Sequence, residues 1–448
     1  MPGLTPGTHN PPYPADKNNV APRIGFAYRM NNQMVIRGGY GIFYETGRFK
    51  FLDQMFWSSP GYGGVTYDST TYAPDPNQTH FTLNDVFPAA VSIPKGTWPI
   101  QIGDGGGELF QRQSPQTIDR DSATTPYLQR WSLDIQQELG RSAVATLGYV
   151  GSEGTKLTTQ YDLNLPPQGV YLNSDEYYAA RPLTSIAPER WDSIWAVHHN
   201  RSNNYHALTA QLKTQSWHNL TSMIGYTWSK QMDTFFGESG ESGVQSIGGQ
   251  WHPQWSYGPS DANHTQRFVA ALMYELPGNN LRNRLVREFA GGWQFNTIAT
   301  FESGSPTTVW NNYTSSFDYM GDVSDQSCDG NLSRGARTFT RQFKTDCYTE
   351  PLPDPATGIA LHRGDERRNN LVNPGISNWD MSLNKEFSIF GEGQRLQFRA
   401  ESFNTFNHTQ WLSMNTNDDR EVNPASQFGY VTGARPGRHM QLALKFIF

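Results

Sequence analysis

His439-Met440-Gln441-Leu442-Ala443-Leu444-Lys445-Phe446-Ile447-Phe448, the last ten residues, alternates along its length. Met440, Leu442, Leu444, Phe446 and Phe448 fall on one face, and His439, Gln441, Ala443 and Lys445 on the other. Successive side chains of a strand point to opposite sides, so this strand is apolar on one side and polar on the other. That pattern fits a wall between lipid and a wet lumen, although many soluble sheets alternate in the same way. The segment alone leaves both readings open.

Working outward, about eleven segments carry this alternation, and their spacing says more than any one of them. Residues 22–30 and 33–44 pair across Asn31-Asn32, and 126–138 pairs with 142–152 across Leu139-Gly140-Arg141. A third pair is 204–214 with 219–230, turning near Ser216-Trp217, and a fourth is 266–276 with 292–302. The fifth is 376–387 with 393–406, and 438–448 stands last. Connections of roughly 80, 50, 35, 70 and 30 residues separate the pairs, against a usual median of about 4–6. Short turns therefore gather at one end of the sheet and long loops at the other. Outer-membrane barrels have this polarity, with short periplasmic turns and long extracellular loops, whereas a sandwich spreads its loops over both ends. The expected fold is all-β: an antiparallel transmembrane β-barrel wall of about eleven strands.

The faces agree. Leu396, Phe398 and Ala400 alternate with Arg395, Gln397, Arg399 and Glu401, and Trp131, Leu133 and Ile135 with Arg130, Ser132, Asp134 and Gln136. An Arg facing lipid at mid-bilayer costs about 2–4 kcal/mol, so Arg395, Arg399 and Glu401 are expected to face the lumen. Aromatic residues gather at strand ends, Trp228 and Tyr127 at the expected outer rim and Trp293, Tyr274 and Phe446 at the inner one, as interfacial girdles would. In the joint from Pro277 to Gly291, Leu281, Leu285 and Phe289 at four-residue spacing predict a short helix, with Arg282, Arg284 and Arg287 as a solvated basic face or a headgroup contact.

Composition narrows the class further. No run approaches the roughly 18 apolar residues of a membrane helix, which excludes a helical membrane protein but not a barrel. The net charge of −6 gives no basic footprint for nucleic acid. The start, Met1-Pro2-Gly3-Leu4-Thr5-Pro6, lacks a basic stretch followed by an apolar one, so no secretory signal is read there. Residues 1–21 read as an irregular lead-in and 22–448 as barrel.

Several segments resemble the Oar-like TonB-dependent receptors, and they do so in order along nearly the whole chain. They are Ala21-Pro22-Arg23-Ile24-Gly25-Phe26-Ala27-Tyr28, Val35-Ile36-Arg37-Gly38-Gly39-Tyr40-Gly41-Ile42-Phe43-Tyr44, Pro126-Tyr127-Leu128-Gln129-Arg130-Trp131-Ser132-Leu133 and Gly148-Tyr149-Val150-Gly151-Ser152-Glu153-Gly154-Thr155. Gly292-Trp293-Gln294-Phe295, Phe301-Glu302-Ser303-Gly304-Ser305-Pro306 and the run from Leu396 through Phe403-Asn404-Thr405-Phe406-Asn407-His408 add to them. The resemblance implies a barrel of about 22 strands around an N-terminal plug, with outer loops that capture a large nutrient and TonB-driven plug movement. It implies that the terminal Met440, Leu442, Leu444, Phe446 and Phe448 form the signal for insertion by the barrel-assembly machinery. Plug and TonB-contacting segments are not recognised here, so the chain reads as the C-terminal half of such a receptor, meeting the TonB complex only through a missing N-terminal part. The expected partners are outer-membrane lipid and an unknown nutrient, in the outer membrane of a Gram-negative bacterium. Competing readings are a secreted β-rich carbohydrate-binding module, a passive pore or adhesin, and a fragment without function. The terminal strand either leaves an open edge or closes onto residues 22–30.

No catalytic, metal or cofactor site is expected. Gly237-Glu238-Ser239-Gly240-Glu241-Ser242-Gly243 does not satisfy Gly-x-Ser-x-Gly, and Gly103-Asp104-Gly105-Gly106-Gly107-Glu108 breaks the dinucleotide pattern and opens no helix. His198-His199 reads as loop surface, and Asp322, Asp325 and Asp329 lack the spacing of an EF-hand. Cys328 and Cys347 share one long loop, where a disulfide, two free thiols or a metal pair are open; an unstrained bridge over that loop contributes roughly 3 kcal/mol. Trp251, His252, Trp255 and Tyr257 form an aromatic cluster that serves either to stack on a flat ligand or to pack its own loop.

Overall fold

The structure is a computed structural model; it describes residues 16–45, 116–118, 124–167, 171, 173–184, 193–234, 252–278, 282–311, 323–351, 355–356, 362–388, 394–420 and 423–447. Eleven strands form one antiparallel wall in chain order: β1 (Arg23–Arg29), β2 (Met34–Tyr44), β3 (Tyr127–Leu139), β4 (Ala143–Asp162), β5 (Trp195–Trp217), β6 (Leu220–Asp233), β7 (Gln266–Glu275), β8 (Trp293–Glu302), β9 (Ile376–Ser388), β10 (Arg395–Phe403) and β11 (His439–Ile447). Two short strands lean on its upper part, Gln116–Ile118 beside β5 and Gly258–Pro259 beside β6. All eleven expected strands are present, and the tight turns fall where their sequence places them. In the first, the Asn31 side chain accepts from the backbone N–H groups of Gln33 and Met34, each at 2.8 Å. In the second, Gly140 supplies a φ of 70°.

Register turns the alternation into two continuous surfaces. One cross-strand row runs Tyr28, Ile36, Ile135, Leu147, Ala210, Tyr226, Phe268 and Phe301. Nearer the short-turn end, another runs Leu220, Tyr274, Phe295, Leu383, Ala400 and Leu442. The opposite face carries the row Arg37, Asp134, Gly148, Thr209, Thr227, Arg267 and Glu302. Gly148 leaves room there for the Asp134 carboxylate, which would stand 2.1 Å from an added Cβ.

The apolar face is the exposed one: Leu133, Leu147, Trp228 and Leu442 are 46%, 52%, 57% and 74% exposed. A monomer in water rarely shows contiguous apolar surface beyond a few hundred Å², so this face needs lipid. No described helix is long and apolar enough to cross a membrane, so the crossing elements are strands.

Two details differ from expectation. β4 and β5 run well beyond the expected 142–152 and 204–214, and their tops stay paired through Asp162↔Trp195 across a register shift between Gly154 and Thr158. His198 and His199 lie in this extension, not in a loop: His199 is buried and His198 packs against the Tyr161 ring at 4.8 Å. Of the two outcomes left open for the terminal strand, it does not take closure onto residues 22–30. Among the described residues β11 pairs only with β10 and β1 only with β2.

Two helices are short. α1 (Ser174–Ala179) is capped by Asn173, whose side chain accepts from the Glu176 N–H at 2.9 Å. α2 (Arg284–Ala290) forms where Leu285 and Phe289 predicted it. The Lys385 ammonium reaches from β9 to the end of this helix and donates to the carbonyls of Glu288, Phe289 and Gly291.

Candidate functional site

Above the long-loop end of the wall stands an assembly with an ordinary buried core. Val309, Phe343, Cys347, Tyr348, Leu371, Met414 and Phe428 pack together there. They come from the connection after β8 and the connection after β10. One short ladder laces the two, Trp310–Asn311 with Asn417–Asp418, and three more lie within one connection each: Pro306–Thr307 with Leu371–Val372, Asp325–Gln326 with Tyr348–Thr349, and Trp411–Met414 with Val431–Ala434. Cys328 and Cys347 are joined in a disulfide across this assembly. Arg420 grips Asp418 through Nε and an Nη at 2.7 and 2.6 Å, donates to the Tyr348 carbonyl at 2.7 Å, and lies over the Phe428 ring.

The assembly is tied to the wall by the stretch from Gly364 to Asn369. It runs extended, with Gly364, Glu366 and Arg368 inward and Asp365 and Arg367 outward. Arg368, 2% exposed, donates to the Asp233 carbonyl at 3.0 Å, to the Asp233 carboxylate, and to the Ser256 carbonyl at 3.1 Å. Its second terminal nitrogen lies 3.6 Å from Asp261. Asn369, held at φ 58°, donates to the Pro259 carbonyl at 2.7 Å and to Asp261 at 2.6 Å. One clasp thus joins the top of β6, the connection after β6 and the connection after β8. Gly258 is needed beside it, since a Cβ there would sit 2.8 Å from the Arg368 carbonyl oxygen.

Glu366 is fully buried and accepts the Val309 N–H on both carboxylate oxygens, at 3.1 and 3.0 Å. Burial pushes its carboxyl up to about 8, with Asp365 adding and the Val309 hydrogen bond opposing. Burial likewise raises the Tyr348 hydroxyl above its ordinary value.

The candidate ligand residues from the sequence are split. His252 and Trp255 stack at 3.9 Å, and the Arg363 guanidinium sits 4.4 Å from the Trp255 ring. Trp255 therefore packs its loop against the clasp segment. Tyr257 is exposed, and its hydroxyl accepts from Asn204 at 3.2 Å. Trp251, Phe448, Asp322 and the two glycine-rich runs lie outside the described residues. Asp325 pairs with His362 at 3.0 Å, and Asp329 accepts from Asn331, so neither is held ready for a cation. No metal-holding cluster occurs among the described residues.

Lower down, the polar face carries Arg395 beside Glu386 at 3.3 Å, Arg399 beside Glu401 at 3.3 Å, and Gln441 donating to Glu401. Met440, Leu442 and Leu444 stand exposed on the apolar face, with Phe446 at the short-turn end. Trp293 and Tyr274 share that apolar face near its foot, and Trp228 and Tyr127 near its top.

A family model described as "Outer membrane beta barrel domain" matches residues 2–441. The chain belongs to the outer membrane beta-barrel domain family. The exposed apolar face of the barrel is accordingly its lipid face, the polar face its lumen, and the protein resides in the outer membrane. Among solved structures, it resembles the outer membrane transporter YddB from Escherichia coli, at 10% identity and a TM-score of 0.47 over 93% of this chain and 39% of that one. It also resembles the siderophore receptor PirA from Acinetobacter baumannii, at 10% identity and a TM-score of 0.44 over 96% of this chain and 41% of that one. The barrel chain thus spans about two fifths of the length of each. No curated protein matches its sequence.

The barrel's clasp residues, Arg368, Asp233, Asp261, Asn369 and Glu366, escaped the sequence reading. Arg368 and Asp233 stand 135 positions apart, and a charged stretch in a loop ordinarily reads as solvated. The one local signal was the strand-like alternation of Gly364, Glu366 and Arg368.

Proposed function

We propose that the chain is the C-terminal wall and outer cap of an Oar-like TonB-dependent receptor, which captures a large scarce nutrient at its outer loops and passes it inward. The observation that carries this reading is the ordered cap itself. Its core, its disulfide and its clasp to β6 build a fixed surface over the mouth of the wall, where a captured ligand is read. A passive pore needs no such surface. A secreted module is disfavoured by the lipid-facing rows of β1–β11, which would stand bare in water. The barrel-assembly machinery reads Met440, Leu442, Leu444, Phe446 and Phe448, and TonB acts through a plug encoded with this wall. Arg395, Arg399 and Glu401 line the passage, and the aromatic cluster of Trp251, His252, Trp255 and Tyr257 supplies the contact for ligand. The reading assigns no catalytic step.

The test is uptake by the native host with the gene intact or deleted, using ferric citrate, cobalamin and malto-oligosaccharides as probes, with and without a protonophore. Uptake of one probe that needs both the gene and the proton gradient is the expected result. Gene-dependent uptake that survives the protonophore would establish a pore instead, and uptake indifferent to the gene would remove the transport role.

A further inference from the structure

Arg201 is buried to 2% exposure, yet among the described residues neither of its terminal nitrogens has a hydrogen-bond partner. A guanidinium keeps its charge in proteins, so burial without a partner leaves a cost of several kcal/mol unanswered. The residue sits on the upper extension of β5, opposite Leu157, where the β4–β5 register shifts. That height is above the aromatic girdle of Trp131, Tyr149, His206 and Trp228, beyond the hydrocarbon. Arg201 shares strand parity with Asn203 and Ala207, which places it on the lumen side.

Its surroundings are cationic. The Arg368 guanidinium is near enough to act against the Arg201 charge. The carboxylates of the clasp are engaged within it: Asp233 accepts from one Arg368 nitrogen on its carbonyl and its carboxylate, and Asp261 pairs with Arg368 and accepts from Asn369. Tyr161, the other group that Arg201 feels, has its hydroxyl accepting from Asn200. Two guanidinium groups that act on each other, one paired and one with two buried and unanswered nitrogens in a fixed fork, make a receptor for a planar oxyanion that is buried with them.

We propose that Arg201, backed by Arg368, anchors an oxyanion subsite at the mouth of the barrel, which takes a carboxylate or phosphate group of the ligand. The inference rests on the transport reading only for the ligand's size. The subsite itself is a property of the folded chain at equilibrium, so it is tested without uptake.

The full chain, folded in detergent, is titrated with sodium phosphate and with sodium citrate in low-salt buffer. Binding is followed by calorimetry and by the thermal midpoint, with heat-modifiable gel mobility as the measure of folding. Both anions are expected to bind and to raise the midpoint, and the tighter of them identifies whether a simple inorganic oxyanion suffices or a polycarboxylate is preferred. Arg201→Met is expected to abolish binding and to raise the midpoint in anion-free buffer, because it removes an unanswered buried charge. Arg201→Lys, which keeps the charge but loses the fork, is expected to bind at least about tenfold more weakly. Lys213→Gln, lower on the same face of β5, is expected to bind like the parent. No binding by the parent chain would mean that ordered water answers Arg201, and equal binding by Arg201→Met would mean an adventitious ion only; either overturns the subsite. Energised uptake can survive that failure, and anion binding can survive a failure of uptake.

Discussion

The wall and the cap solve opposite problems with the same chain. In the wall, large apolar side chains such as Leu133, Leu147 and Leu442 point outward and stay exposed, while Asp134, Arg267 and Glu302 face in. In the cap, Val309, Phe343, Tyr348 and Leu371 are buried to 1% or less. The wall is held by backbone ladders between neighbours in sequence, and its apolar surface is satisfied only by lipid. The cap is held by side chains far apart in sequence, and it satisfies itself. A solvent that hides apolar surface lets local pairing suffice; water above the membrane demands a core, a disulfide and a clasp.

The clasp is where that division is most easily broken. Arg368→Ala leaves the Asp233 carboxylate buried without its partner, which costs about 3–5 kcal/mol for a buried pair. The expected outcome is a cap cut rapidly by protease between residues 303 and 375, with the wall's heat-modifiable mobility kept. Loss of both together would show that wall and cap form one cooperative unit. Next in size, Leu133→Arg places a charge on the lipid face and is expected to destabilise insertion by about 2–4 kcal/mol, measured by denaturant unfolding in bilayers. Ser132→Arg, one residue away on the lumen face, is expected to change it little. Similar costs for the two would erase the difference between the faces.

The last effect is in pH. Burial raises the Glu366 carboxyl from 4.5 to about 8 in the folded protein. Below pH 4.5 both folded and unfolded chains hold that proton, and the group's contribution is whole. As pH rises toward 8 the unfolded chain has released it and the folded one has not, so stability falls; above 8 the contribution is gone. Glu366→Gln keeps an acceptor for Val309 and is expected to flatten this slope in cap protection measured by hydrogen exchange. A slope unchanged in the variant would place the titration elsewhere.

The same contrast explains what could be read in the sequence. Wall strands announce themselves because each lies between two solvents, and the period of two in Leu396 to Glu401 records it directly. The tops of β4 and β5, such as Thr158-Thr159-Gln160-Tyr161, carry no such period, because water or cap contacts both faces there. Their strand character comes from pairing alone. The cap's core is scattered over Val309, Phe343, Leu371, Met414 and Phe428, one apolar residue at a time among polar ones. Arg201 was hidden more deeply still, since nothing in Asn200-Arg201-Ser202 shows that the side chain would be buried and left without a partner.

Lys385 has a consequence of a different kind. By parity it belongs to the lipid side of β9, next to Leu383 and Phe387, and yet it is 1% exposed and spends its charge on the last carbonyls of α2. A buried ammonium on that side marks the depth at which hydrocarbon must end. The helix, with Phe289 uncovered beside it, then works as a draught line painted on a hull. In a thicker bilayer the lipid must thin locally before that mark goes under.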